Sequence, residues 1–138
     1  MSPKKLAAIT GMKVDVARHG SLFNVVCQSV GVRFEATSSS LKNAVKRILA
    51  DHWRWVQSVV AERQGYKCNR CGMIRPLQFH HIVARSKGRR DSPDNIEGLC
   101  HECHRREHST PKSQNRVHRT SPKQEEPLHA TEGQAGGF

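Results

Sequence analysis

Two Cys-x-x-Cys pairs, Cys68/Cys71 and Cys100/Cys103, each clasp one side of a tetrahedral cation, and together they offer four thiolates. Four sulfur ligands close a coordination sphere, so the expected ion is a structural Zn2+ with no open position for a substrate. Gly72 follows the first pair, where a turn around sulfur needs a backbone conformation that a side chain opposes. Lys67 and Arg70 lie beside the same pair and favour the thiolate form. The fifth cysteine, Cys27, stands alone on an apolar stretch and reads as a small buried hydrophobe.

The histidines form a second constellation: His80-His81, then a loop ending at Asn95, then His104-x3-His108. Residues four apart share a helix face, so His104 and His108 can present two imidazoles to one cation. His80, on a strand, would add a third and leave positions open for phosphate and water. An imidazole ordinarily titrates near about 6.5 and accepts a proton at neutral pH. A cation beside such an acceptor suits hydrolysis of a phosphodiester, which needs an activated water, neutralised phosphate charge and a stabilised departing 3′-oxygen. Neighbours on a regular strand face opposite ways, so His80 and His81 are expected at a strand end, a bulge or a strong twist.

These residues need elements to hold them, and the chain divides by composition. Residues 1–37 read as a small β region. Its Val- and Phe-rich stretches Lys13 to Ala17, Leu22 to Cys27 and Val30 to Ala36 are punctuated by His19-Gly20-Ser21 and Gly31, which predicts a hairpin or meander. Residues 38–65 read as an amphipathic helix. Ser38 to Ser40 supply caps, Leu41, Val45, Ile48, Leu49, Trp53, Val56, Val59 and Val60 recur at helical intervals, and Gly65 marks the end. Lys42, Lys46, Arg47 and Arg54 fall mostly outside that stripe, as a solvated face or, alternatively, a DNA-contacting one. Residues 66–109 hold both cysteine pairs, and residues 110–138, rich in Pro, Ser, Gln, Glu and Gly, are expected to be a disordered tail.

A chain of 138 residues with 36% hydrophobic and 5% aromatic content has room for one catalytic unit and a modest core, which a metal staple would supplement. The net charge of +11 favours polyanionic partners, nucleic acid first. No secretory leader and no run of apolar residues long enough to span a bilayer is present, so a cytoplasmic, membrane-free protein with reduced cysteines is expected, monomeric or dimeric.

The stretch from Leu77-Gln78-Phe79-His80-His81-Ile82 through Asn95 to Leu99-Cys100-His101-Glu102-Cys103-His104 and His108 resembles the HNH endonuclease family. The resemblance implies an α+β chain whose centre is a ββα-metal finger, stapled by the four-cysteine zinc site and preceded by the meander and the long helix. It also implies metal-dependent cleavage or nicking of DNA. Carried over position by position, His80, His104 and His108 would bind the catalytic divalent cation (Mg2+, Mn2+, Ni2+, Co2+ or Zn2+), His81 would be the general base, and Asn95 would orient it. The family often has aspartate where this chain has His80, and not every member has the last histidine. Arg85, Lys87, Arg89, Arg90, Arg105 and Arg106 are the expected contacts to DNA phosphates, which hold the backbone and carry little sequence information. His101 reads as a surface or DNA-contacting residue. Small proteins of this kind resemble those of phages and mobile elements, which implies a phage packaging or other protein partner for the N-terminal segment. The alternative is a non-catalytic, zinc-stapled nucleic-acid-binding module.

Overall fold

The computed structural model describes residues 1–109; the tail expected over 110–138 lies outside the described residues. The chain opens with a helix that the sequence reading did not anticipate, α1 (Pro3–Thr10). Its signals are local: Ser2 caps the backbone N–H of Lys5, Pro3 occupies the first turn, and Gly11 ends it at φ +69°. Three strands follow, β1 (Lys13–His19), β2 (Leu22–Ser29) and β3 (Val32–Ser38), paired antiparallel in that order with Cys27 opposite Val14 and Phe34. The expected meander is present; β1 and β2 run two residues beyond their apolar stretches because pairing continues to the tight turns at Gly20 and Gly31, and the third strand is shifted by two residues, leaving Val30 in the turn.

Helix α2 (Leu41–Arg63) runs beneath both halves of the molecule. Its first half buries Ala44, Val45 and Ile48 with Leu6 and Met12 and, on the inner sheet face, Val25, Cys27 and Ala36. Its second half buries Val56 and Val60 against Ile96, flanked by Trp53, Trp55 and Phe79. Of the predicted stripe Val45, Ile48, Val56 and Val60 are buried and Leu41, Leu49, Trp53 and Val59 half-buried, while Ala44, Ala61 and the fully buried His52 join it unpredicted.

The remainder is a hairpin and a helix. β4 (Gln78–His81) pairs antiparallel with β5 (Ile96–Leu99), His80 opposite Glu97 and His81 opposite Ile96, and α3 (His101–Ser109) follows. The 82–95 connection carries single 3-10 turns at Arg85–Lys87 and Pro93–Asn95. Side-chain and backbone bonds fasten this ββα unit to the end of α2. Arg63 donates to the Ile96 carbonyl at 3.2 Å, and the Gln64 amide pairs with both backbone groups of Gly98 at 2.9 Å. A Cβ at residue 98 would come within 3.1 Å of the Gln64 Nε2 and 3.0 Å of Leu77, so any side chain there would have to push these two aside by a few tenths of an ångström. Among the described residues no helix is long and apolar enough to cross a membrane.

Candidate active site

The four cysteines of the two pairs converge. All four Sγ atoms lie within 4.8 Å of one another, and Cys71 and Cys100 are 3.8 Å apart. Tetrahedral Zn–S bonds of about 2.3 Å imply S···S edges of about 3.8 Å, so the cluster has the dimensions of a tetrathiolate zinc site. The knuckle is built locally: Gly72 at φ +70° lets its N–H reach the Cys68 carbonyl, and the Arg70 N–H points at the Cys68 sulfur at 3.4 Å. Burial pushes the Cys68 thiol up, but backbone N–H groups of Cys71, Cys100 and Arg70 outweigh it and bring the group down to about 6. Cys103 in the same cluster is pushed up to about 12 by burial and by its neighbouring sulfurs. Four acids this close cannot all ionise without a shared cation, which is the donor chemistry zinc meets. Leu77 and Leu99 pack against the cluster, so the staple doubles as a third small core.

The three histidines predicted as ligands are also together. One ring nitrogen from each of His80, His104 and His108 lies within 4.8 Å of the others, and Nε2 of His104 and His108 are 3.2 Å apart. Zn–N bonds of about 2.05 Å in a tetrahedron imply N···N edges of about 3.3 Å. Burial holds the His80 and His104 imidazoles below their ordinary value, neighbouring imidazoles add to this, and for His80 the carboxylates of Glu97 and Glu107 oppose it. The lone pairs of His80 and His104 are therefore available at neutral pH. Behind the triad, Arg70 joins Glu97 on β5 to Glu107 on α3, and Asn69 also donates to Glu97, so the zinc knuckle and the imidazole cluster share one polar network.

His81 stands elsewhere. It is the last residue of β4, without a bulge, and alternation along the strand separates it from the triad. Gln78 and His80 face α3, whereas Phe79 packs in the α2 core and the His81 ring lies parallel to Trp53, centroids 5.5 Å apart. Its Nε2 is 2.7 Å from Oδ1 of Asp91, a fully buried carboxylate. Among the described residues Nδ1 makes no hydrogen bond, and the orphaned buried ring nitrogens are those of His52, so Nδ1 of His81, on a side chain 10% exposed, opens to solvent.

Two of the expected site residues have polar partners of their own. Asn95 does not touch the imidazole: its Oδ1 accepts from the Val83 N–H and its Nδ2 donates to the Arg90 carbonyl, at 2.9 and 2.8 Å, closing the loop instead. The hydrogen-bond partner of the His81 ring is Asp91. Arg89 is not a free phosphate contact either, because its guanidinium makes a bidentate pair with Asp91, with bonds of 2.7 to 3.1 Å. Arg90 reaches the exposed Asp94. Arg85 and Lys87 are exposed on the loop, and Arg105 and Arg106 are exposed on α3. A groove of about 390 Å³ between Ala8 of α1 and the loop is lined by Val83, Lys87, Gly88, Arg89, Arg90 and Asn95. His101 is exposed and meets Gln78 outside both metal clusters.

Sequence reasoning missed Asp91 and Trp53. In the sequence Asp91 is one of several loop residues and Trp53 one member of the helical stripe, and neither carries a local signal of its role. No curated protein and no solved structure matches the chain. A family model does, over residues 67–110, and its description is HNH endonuclease. That span contains both cysteine pairs, the three converging imidazoles and His81, and over it the chain is similar to the HNH endonuclease family.

Proposed function

We propose that the protein is a metal-dependent endonuclease that hydrolyses phosphodiester bonds of DNA, with zinc on Cys68, Cys71, Cys100 and Cys103 as a structural staple. The observation that carries the reading is the convergence of His80, His104 and His108 inside a segment of a nuclease family. A divalent cation held by these three imidazoles supplies positive charge to the scissile phosphate and the departing oxygen. A donor set of nitrogen alone favours Zn2+, Ni2+ and Co2+ over the oxygen-preferring Mg2+ and Mn2+.

In this reading His81 accepts a proton from the attacking water at Nδ1. The water oxygen bonds to phosphorus, the bond from phosphorus to the 3′-oxygen breaks, and that oxygen leaves with a proton from solvent. His81 ends β4 where the 82–95 connection begins, so a phosphate lying across that end of the hairpin would neighbour His80 and His81 at once. Arg85, Lys87, Arg105 and Arg106 hold the flanking phosphates by charge, with little sequence preference.

The second reading, a non-catalytic binding module, is favoured by one observation: the His81 ring faces α2 and the triad faces α3. Supercoiled plasmid incubated with each divalent metal separates the two. Nicking by the wild type and its loss in His81→Ala is the expected result; equal cutting by both proteins removes His81 from the mechanism, and salt-sensitive binding without cutting by either supports the binding module.

A further inference from the structure

We propose that Asp91 is the positioning residue for His81, fixing its ring as the Nε2–H tautomer so that Nδ1 is left as the proton acceptor. The inference rests on the reading of His81 as the base. Asp91 is fully buried, and a carboxylate withdrawn from water persists only where donors surround it. Here they do: the Arg89 guanidinium takes both oxygens and His81 Nε2 takes Oδ1 at 2.7 Å. Burial pushes the carboxyl up, yet hydrogen bonds from Arg89 and His81 prevail and hold it below its ordinary value. An ionised carboxylate only accepts, so the shared proton sits on Nε2 and the lone pair on Nδ1. When Nδ1 takes a proton from water, the imidazolium that results already faces a negative charge.

The mount of this pair comes from outside the family segment. The Asp91 backbone N–H donates to the Ile9 carbonyl of α1 at 2.8 Å, and Trp53 of α2 covers one face of the His81 ring. The N-terminal helices thereby set the ring's rotation about its own axis, which hydrogen bonding at Nε2 alone leaves free. His52, buried beside Phe34 and Trp55, lies close enough to Asp91 and Arg89 for their charges to act on it. It bonds neither, so the carboxylate's hydrogen bonds are reserved for Arg89 and His81.

The test uses the full-length, zinc-loaded chain and Asp91→Asn, which keeps the shape but can offer an N–H to the ring and so stabilise the other tautomer. Long-range 1H–15N correlation of the His81 ring is expected to show Nε2–H in the wild type. For Asp91→Asn, kcat on plasmid is expected to fall by about 100-fold or more with KM within about 2-fold, as tautomer errors act on turnover and spare binding. An Nδ1–H ring in the wild type overturns the inference whether or not DNA is cut, and this measurement decides the matter if the variant does not fold. A variant that cuts at the wild-type rate overturns it while leaving the nuclease reading intact. No cutting by the wild type under any divalent metal overturns the nuclease reading and the catalytic use of the pair with it.

Discussion

Replacing Arg70 with alanine should destabilise the molecule markedly although Arg70 is a ligand of neither metal cluster. Arg70 donates to Glu97 at 2.7 and 3.3 Å and also pairs with Glu107. The Glu97 side chain is only 6% exposed. Removing one partner of a buried ion pair costs about 3–5 kcal/mol, mostly because the remaining charge keeps its desolvation penalty. The Arg70 side chain is itself 21% exposed, and Asn69 continues to donate to Glu97, so the expected loss lies lower, about 2–3 kcal/mol. For a domain of about 5–15 kcal/mol total stability this is a large share and a fall in Tm of about 10 °C. Urea denaturation of the zinc-loaded proteins measures it, with Glu97→Gln and the double variant completing a cycle. Because Gln at 97 carries no charge to strand, the double variant should lose at least about 1 kcal/mol less than the sum of the singles. Strict additivity, or an Arg70→Ala loss below about 0.5 kcal/mol, would refute the network as the link between knuckle and triad.

Other consequences are as direct. Arg85→Ala and Lys87→Ala should each weaken DNA binding uniformly and reduce the salt slope by about 1, whereas Arg89→Ala should lower thermal stability more than it alters that slope; a slope change confined to Arg89→Ala would reverse the assignment. His52 is held below its ordinary pKa by burial, with Asp91 opposing and Arg89 adding to the effect. The unfolded chain therefore takes up its proton first, and this contribution to stability is full above about pH 6.5 and is lost as pH falls through the lowered folded value. His52→Leu also removes two orphaned nitrogens and should stabilise by about 1 kcal/mol or more, with the larger gain at pH 5 than at pH 7.5; equal gains at the two pH values would contradict the titration argument. A fragment beginning at Glu62 lacks Trp53, Val56 and Val60, which cover Ile96 and His81. It should give no cooperative melt even with zinc, and a fragment melting at the wild-type temperature would show that the ββα unit stands alone.

Local chemistry was legible in the sequence, and long-range packing was not. The Cys-x-x-Cys spacing, the His-x3-His spacing and the apolar stripe of α2 are short-range patterns, and each side chain involved is found beside the partner its spacing implies. The first helix escaped because eight residues carry too little periodicity, although Ser2, Pro3 and Gly11 bracket it. Asp91 escaped for a different reason: its partners Arg89, His81 and the Ile9 carbonyl meet only once α1 docks on the loop, an arrangement no spacing rule encodes. The same applies to α2. Read as a segment apart, it instead carries two cores on one stripe, and its Trp53 reaches a ring 28 positions further along the chain.

The three converging imidazoles are tested most directly by relaxation of supercoiled plasmid by protein stripped of metal and reloaded first with one equivalent of Zn2+ for the thiolates. Activity should appear only when a second equivalent of divalent metal is added, and His104→Ala should keep its fold and its first zinc while losing cleavage by about 100-fold or more. Cleavage that needs no second equivalent, or that survives intact in His104→Ala, would contradict the claim that this cluster is where the phosphodiester is cut.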